Sequence, residues 1–165
     1  MPKESAGILM YKRQNGEVLV LLAHPGGPFW RNRDEGAWTI PKGEPGPDET
    51  SLAAAQREFE EELGAPAAGT LQPLGRIRQS GGKWVEAFAL EGDFDLASLR
   101  SNMFEMEWPP HSGRMDSFPE VDRAMWLPLP LARRKILSSQ ETLLDRLEAL
   151  LLGSSMDTGN PFHKV

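Results

Sequence analysis

The chain predicts a mixed β-sheet covered by helices, an α/β or α+β domain. Three observations lead there. Two apolar segments, SAGILMYK and EVLVLLA, flank Asn15-Gly16, a strong hairpin-turn signal. The segment from Glu49 to Leu63 has a helical apolar stripe closed by Gly64 and Pro66. A leucine-rich stretch near the C-terminus has the same periodicity. Strands and helices interleaved in this way suggest a sheet with helices packed on it.

In chain order, strands are expected at Ser5–Lys12 and Glu17–Ala23. His24 to Gly36 (HPGGPFWRNRDEG) is a Gly- and Pro-rich loop. Ala37 to Ile40 reads as a short strand that Pro41-Lys42-Gly43 leaves. Asp48 is the expected N-cap of the helix, and Leu52, Ala55, Phe59 and Leu63 are its expected core stripe. Leu74–Arg78 and Trp84–Leu90 read as strands joined through Gly81-Gly82, and Ala124–Leu127 as the last strand. Residues 100–120 form a long insert. Ser138-Ser139-Gln140-Glu141 has the pattern of a capping box opening a helix to about Leu152. Leu143, Leu144, Leu147, Leu150 and Leu151 are its apolar face. Residues 1–152 are thus expected to be one domain, and 153–165, polar and broken by Gly and Pro, a mobile tail.

Composition narrows the class. The 165 residues are 39% hydrophobic and 25% charged, ordinary for a globular domain with a sizeable core. No run of about 18 apolar residues suggests a membrane span. The start, MPKESAGILMYKR, lacks the layout of a signal peptide. There are no cysteines, which excludes disulfides, thiolate catalysis and cysteine-bound zinc. The expected location is cytoplasmic. A net charge of -6 argues against nucleic-acid binding, though a bound metal and local Lys or Arg can reverse the potential inside one cleft.

The chemistry concentrates in GEPGPDETSLAAAQREFEEELGA, Gly43 to Ala65. Its pattern is G-x5-E-x7-R-E-F-x-E-E-x-G. At about 100° per residue, with Glu58 as zero, Glu61 falls at roughly 300° and Glu62 at roughly 40°. Three carboxylates on so narrow an arc repel one another unless a cation sits among them. The arc borders the apolar stripe, where side chains line clefts. Converging oxygens without cysteine or a nearby histidine favour a hard ion, Mg2+ or Mn2+. An acidic run alone is usually a solvated helix face. Here the flanking positions reduce chance matching to the order of 10^-9 per window.

This segment resembles the Nudix box, the signature of the Nudix hydrolase family. Every charged and glycine position of that signature is present; Phe59 and Ala65 depart from it at apolar positions. The resemblance implies the Nudix fold, a mixed sheet sandwiched between helices, over roughly residues 4 to 150. SAGILMYK and WTIPKG are similar to diadenosine tetraphosphate hydrolases of the family. HPGGPFW, EWPPHSGR and FPEVDRAMW look like a bacterial branch called predicted NTP pyrophosphohydrolases.

The resemblance also implies roles. Water attacks phosphorus in a nucleoside diphosphate linked to another group, with Mg2+ taking up charge. Glu58, Glu61, Glu62 and the carbonyl of Gly43 are the implied metal ligands, and Arg57 orients the glutamates through Glu49. The general base is a box glutamate or an acid outside the box. Glu120, six residues before Trp126, is the outside candidate, with Glu105, Glu107 and Asp116 as rivals. For substrate, Lys42, Arg31 and Lys83 are phosphate contacts and Trp30 a base contact, Phe29 and Trp108 being further aromatic candidates. Trp84 and Trp126 are expected in the core, and His24 and His111 in loops. The expected partner is a small-molecule nucleotide, not a nucleic acid or a membrane, acted on by a monomer or homodimer. NTPs and dinucleoside polyphosphates lead, followed by ADP-ribose and nucleotide sugars. The alternative is a regulatory domain that binds a nucleotide without cleaving it. An isoprenoid diphosphate isomerase on this fold would want a catalytic cysteine, and there is none.

Overall fold

A computed structural model describes residues 3–159. Eight strands and three helices follow in order: β1 (Glu4–Gln14), β2 (Glu17–Pro25), β3 (Lys42–Gly43), α1 (Ser51–Leu63), β4 (Leu71–Arg78), β5 (Trp84–Glu91), β6 (Met103–Glu107), β7 (Met115–Pro119), β8 (Val121–Pro128), α2 (Leu129–Lys135) and α3 (Glu141–Gly159). The main sheet runs β4-β5-β1-β2-β8, with β3 paired to β1. The β1–β5 pair is parallel and the other pairs are antiparallel, so the sheet is mixed.

Strand β1 is apolar on both faces because both are covered. Ala6, Ile8 and Met10 pack with Phe59 and Leu63 of α1, while Leu9 and Tyr11 join Leu143, Leu144 and Leu147 of α3. That explains its unbroken apolar run, where a strand with one wet face would alternate. Asn15 (φ 53°) and Gly16 (φ 79°) both take the left-handed conformation that a tight two-residue hairpin requires.

Several expectations need correction. Asp48 has φ 66°, outside the extended region an N-cap adopts, and Thr50 caps α1 instead, accepting from the amide of Ala53 at 3.1 Å. Leu52 is 42% exposed; the buried residues of α1 are Ala54, Ala55, Phe59 and Leu63. On the helical wheel Ala54 falls at roughly 320°, so Glu58 and Glu62 lie within the buried arc, not beside it. Residues 37–40 make only isolated bridges, Ala23–Thr39 and Trp38–Ile136, and the strand proper is β3. The capping box does not form. Ser138–Gln140 is a 3-10 turn without a side-chain cap, and the Ser139 hydroxyl is buried and unpartnered. Helix α3 continues to Gly159, past the expected end at Leu152, and 160–165 lie outside the described residues.

Two elements had no counterpart among the expectations. The insert is a hairpin, β6 paired to β7, forming its own two-stranded sheet. Helix α2 starts in a Pro-rich stretch, yet Pro130 sits in its first turn, where a missing N–H costs nothing. The fully buried tryptophan is Trp38. Trp84 and Trp126 are half-buried, with Arg76 4.8 Å from the Trp84 ring centre and Lys12 4.4 Å from that of Trp126.

Strand β4 is one edge of the main sheet. It bulges at Pro73/Gly75, and Gly75 has φ 84°. The Arg146 guanidinium lies against that glycine and donates to the carbonyls of Leu74 (3.0 Å) and Arg76 (2.9 Å).

Candidate active site

The site forms where α1 crosses β3. Gly43 makes this crossing possible. A Cβ there would fall 2.0 Å from the carboxyl carbon of Glu58, so glycine leaves room for that carboxylate to lie against β3. Gly7 of β1 lets the chain at Pro41 and Lys42 pass close over it, since its Cβ would meet the carbonyl of Pro41 at 2.6 Å. Two glycines thus let the 41–42 segment and the Glu58 carboxylate enter an otherwise apolar layer.

Arg57 organises the carboxylates around it. Its Nε and Nη2 grip both oxygens of Glu49, each at 2.9 Å, and Nη1 donates to Glu58 and to Glu61, also at 2.9 Å. Nη2 further reaches the carbonyl of Glu44. One planar fork therefore serves three carboxylates and one carbonyl. Arg57 and the amide of Gly46 hold the Glu49 carboxyl down at about 2.

Glu58, Glu62 and Glu120 converge, with one oxygen of each within 4.8 Å of the others. Burial pushes Glu62 up to about 8; Lys42 opposes the shift, and Glu58 and Glu120 add to it. Burial also raises Glu120, helped by Glu58 and Glu61. Burial lowers Lys42, and the positive charge of Lys83 lowers it further. The charges crowd in a partly dry place and strain each other's ionisation.

Glu120 is held there through the backbone. It is the single residue between β7 and β8. Its amide donates to the carbonyl of Asn102, whose own amide donates to the carbonyl of Glu61, each at 2.8 Å. Its carbonyl accepts from Gly26 at 2.9 Å. Helix α1, the insert and the end of β2 are thereby locked around one carboxylate.

A cleft of about 330 Å³ opens beside these groups, lined by Trp30, Thr39, Lys42, Glu62, Gln79 and Glu120, with Ala37 and Leu137 among its apolar residues. Its Trp30-bearing loop is pinned by His24, which belongs to β2 and is fully buried. His24 bonds Asp122 through Nδ1 at 2.8 Å and the carbonyl of Arg33 through Nε2 at 2.6 Å.

The other sequence candidates lie apart from this centre. The Glu61 carboxylate turns to Arg57 and is outside the converging group. Arg31 is exposed, over a shallow hollow with Pro28, Phe118 and Asp122. Lys83 acts on Lys42 through its charge without lining the cleft. Phe29 of the 24–36 loop and Trp108 of the insert stack edge-on at 5.6 Å. Glu107 binds the amides of His111 and Gly113 within the hairpin loop, and Asp116 binds that of Ser117. Thr39, Gln79 and Leu137 carried no sequence signal; only the fold brings them to the cleft.

The family model described as NUDIX domain matches residues 1–147. Similar solved structures include an Ap4A hydrolase of C. elegans in a binary complex, with TM-score 0.63, 24% identity, and 92% of this chain and 98% of that one covered. The NUDIX domain of Shewanella oneidensis NrtR complexed with ADP ribose gives TM-score 0.65 and 14% identity, covering 92% and 89%. A mutT/nudix family protein of Listeria innocua gives TM-score 0.62 and 17% identity, covering 96% and 99%. At these identities the likeness is one of fold. No curated protein matches the chain.

Proposed function

This chain belongs to the NUDIX domain family, as a Nudix pyrophosphohydrolase with every charged position of the signature in place, and from that premise we propose that it cleaves a pyrophosphate bond in a nucleoside polyphosphate, an NTP or a dinucleoside polyphosphate such as diadenosine tetraphosphate, with Mg2+. The observation that carries this reading is the convergence of Glu58, Glu62 and Glu120, the last two of which line one cleft with Lys42 and Trp30. An acidic, metal-binding end and an apolar, aromatic end suit the two halves of a nucleotide. A C. elegans Ap4A hydrolase with this fold supports the choice of substrate class.

The donor set fits a hard divalent ion. It offers converging carboxylate oxygens from Glu58, Glu62 and Glu120, the hard donors such an ion prefers. Glu58 and Glu62, with the Gly43 carbonyl, would hold Mg2+ or Mn2+, and Glu61 would join them on turning away from Arg57. Such an ion neutralises phosphate charge and makes a bound water more acidic. The chain's own groups do the rest. Lys42 contacts the phosphate oxygens from the cleft floor. Arg57 keeps Glu58 aimed and leaves it little freedom to rotate. Glu120, the most independent of the three because it comes from another element, takes the proton of the attacking water on its carboxylate. Trp30 packs against the base. A small-molecule substrate, a cytoplasmic location and a monomeric or homodimeric state belong to the same proposal.

Incubation with Mg2+ and a nucleotide panel, with products separated by chromatography, tests the reading. We expect cleavage of a pyrophosphate bond, and its loss in Glu62→Gln with nucleotide binding retained. Binding without cleavage by the unaltered chain would instead assign a sensor role.

A further inference from the structure

Gln79, which lines the cleft, and the buried Gln140 form a directed chain of hydrogen bonds. Gln140 is fully buried. Its Oε1 accepts from the peptide N–H of Ile40 at 3.0 Å, and its Nε2 donates to Oε1 of Gln79 at 2.8 Å. A peptide N–H can only donate, so Gln140 must turn its oxygen toward Ile40. Its NH2 then faces Gln79, which must answer with its oxygen. The remaining NH2 of Gln79 makes no bond among the described residues, and Gln79 lines the cleft. Flipping Gln79 would set NH2 against NH2. Flipping both would set NH2 against the Ile40 N–H. The polarity of the exposed amide is therefore fixed from the backbone outward. Its main chain is fixed as well, by Gln79 N–H to the carbonyl of Lys83 (2.7 Å) and Gly82 N–H to its own carbonyl (3.1 Å).

We infer that Gln79 is a specificity-determining residue, presenting a preset hydrogen-bond donor to an acceptor atom on the edge of the substrate's base. Gln79 shares the cleft with Trp30, Ala37 and Leu137, which suit a flat uncharged ring. The phosphates have Lys42 at the other chemical end. A donor whose orientation is already set loses little rotational freedom on binding and leaves a buried N–H unanswered when the wrong edge arrives. The inference rests on reading this cleft as the nucleotide site.

The test measures binding by calorimetry on the full chain. Its probes are the four ribonucleoside 5′-monophosphates and ribose 5-phosphate as the form without a base. None has a pyrophosphate bond, so failure to hydrolyse nucleotides would sink the proposed function and leave this test readable. The unaltered chain should discriminate among the four bases. Gln79→Met should compress the spread of Kd by about 3- to 10-fold, the worth of one hydrogen bond, and leave ribose 5-phosphate affinity unchanged. Should Gln79→Met fail to fold, Gln79→Glu still gives Gln140 an acceptor and presents oxygen to the cleft, and it should reorder the four bases. Four results would overturn the inference: no monophosphate binding, no discrimination by the unaltered chain, an unchanged spread or order in the variant, or an equal loss for ribose 5-phosphate.

Discussion

Glu62 carries the largest electrostatic cost in the site. Its ordinary value of 4.5 is raised to about 8, first by burial and then by Glu58 and Glu120. For a raised carboxyl, the folded state binds the extra proton. Its contribution to stability is full below 4.5 and is lost as pH rises through about 8. Glu120 is raised and has the same sign. Glu49, held at about 2, changes only in acid, and depressed Lys42 acts oppositely as pH approaches 10.5. The chelated protein should therefore lose thermal stability between pH 5 and 8, and Mg2+ should restore more of it at pH 8 than at pH 5. Metal affinity should rise with pH by up to about tenfold per unit, because binding displaces the Glu62 proton. Melting curves with chelator or Mg2+ across this range check both; a flat profile in the chelated protein would remove Glu62 as the source.

Helix α1 shows how far an element can be read from its sequence. Its position, its C-terminal glycine and its acidic pattern were all legible in local spacing. Its start was not, because capping depends on backbone angles: the Asp48 backbone is left-handed, and Thr50 stands two residues on in the required extended conformation. Nor was the depth of Glu58 and Glu62, which follows from what lies opposite them. Gly43 and Gly7 leave a gap where a sheet would normally present side chains, and nothing in the spacing of the helix reveals its partner. The β6–β7 hairpin escaped for another reason. Its strands are short and its turn carries Trp108, Pro109 and Pro110, a composition that reads as loop. At this scale Thr50→Ala should cost about 1 kcal/mol and lower the melting temperature by roughly 2–4 °C, as measured by circular dichroism. An unchanged melting temperature would mean that the first turn is held by other contacts.

The molecule as a whole divides into a deep sheet, buried on both faces, and a hairpin that forms a separate two-stranded sheet. Two-stranded sheets have little stability of their own in water. Amides of 103–119 should exchange with solvent orders of magnitude faster than those of Ile8 to Met10 in β1, as mass spectrometry after deuterium labelling would show. The adjoining amide of Glu120, bonded to the carbonyl of Asn102 where the hairpin meets Glu58 and Glu62, should instead be protected. Equal protection throughout would mean that the hairpin is a full part of the core. Arg146 has a consequence beyond the architecture of one chain. An uncovered outer strand offers its carbonyls to any passing extended segment, the first step of runaway polymerisation. With the carbonyls of Leu74 and Arg76 already taken by a cation that cannot lose its proton, and a kink at Gly75 beside them, that border of the sheet is closed to growth from a neighbour.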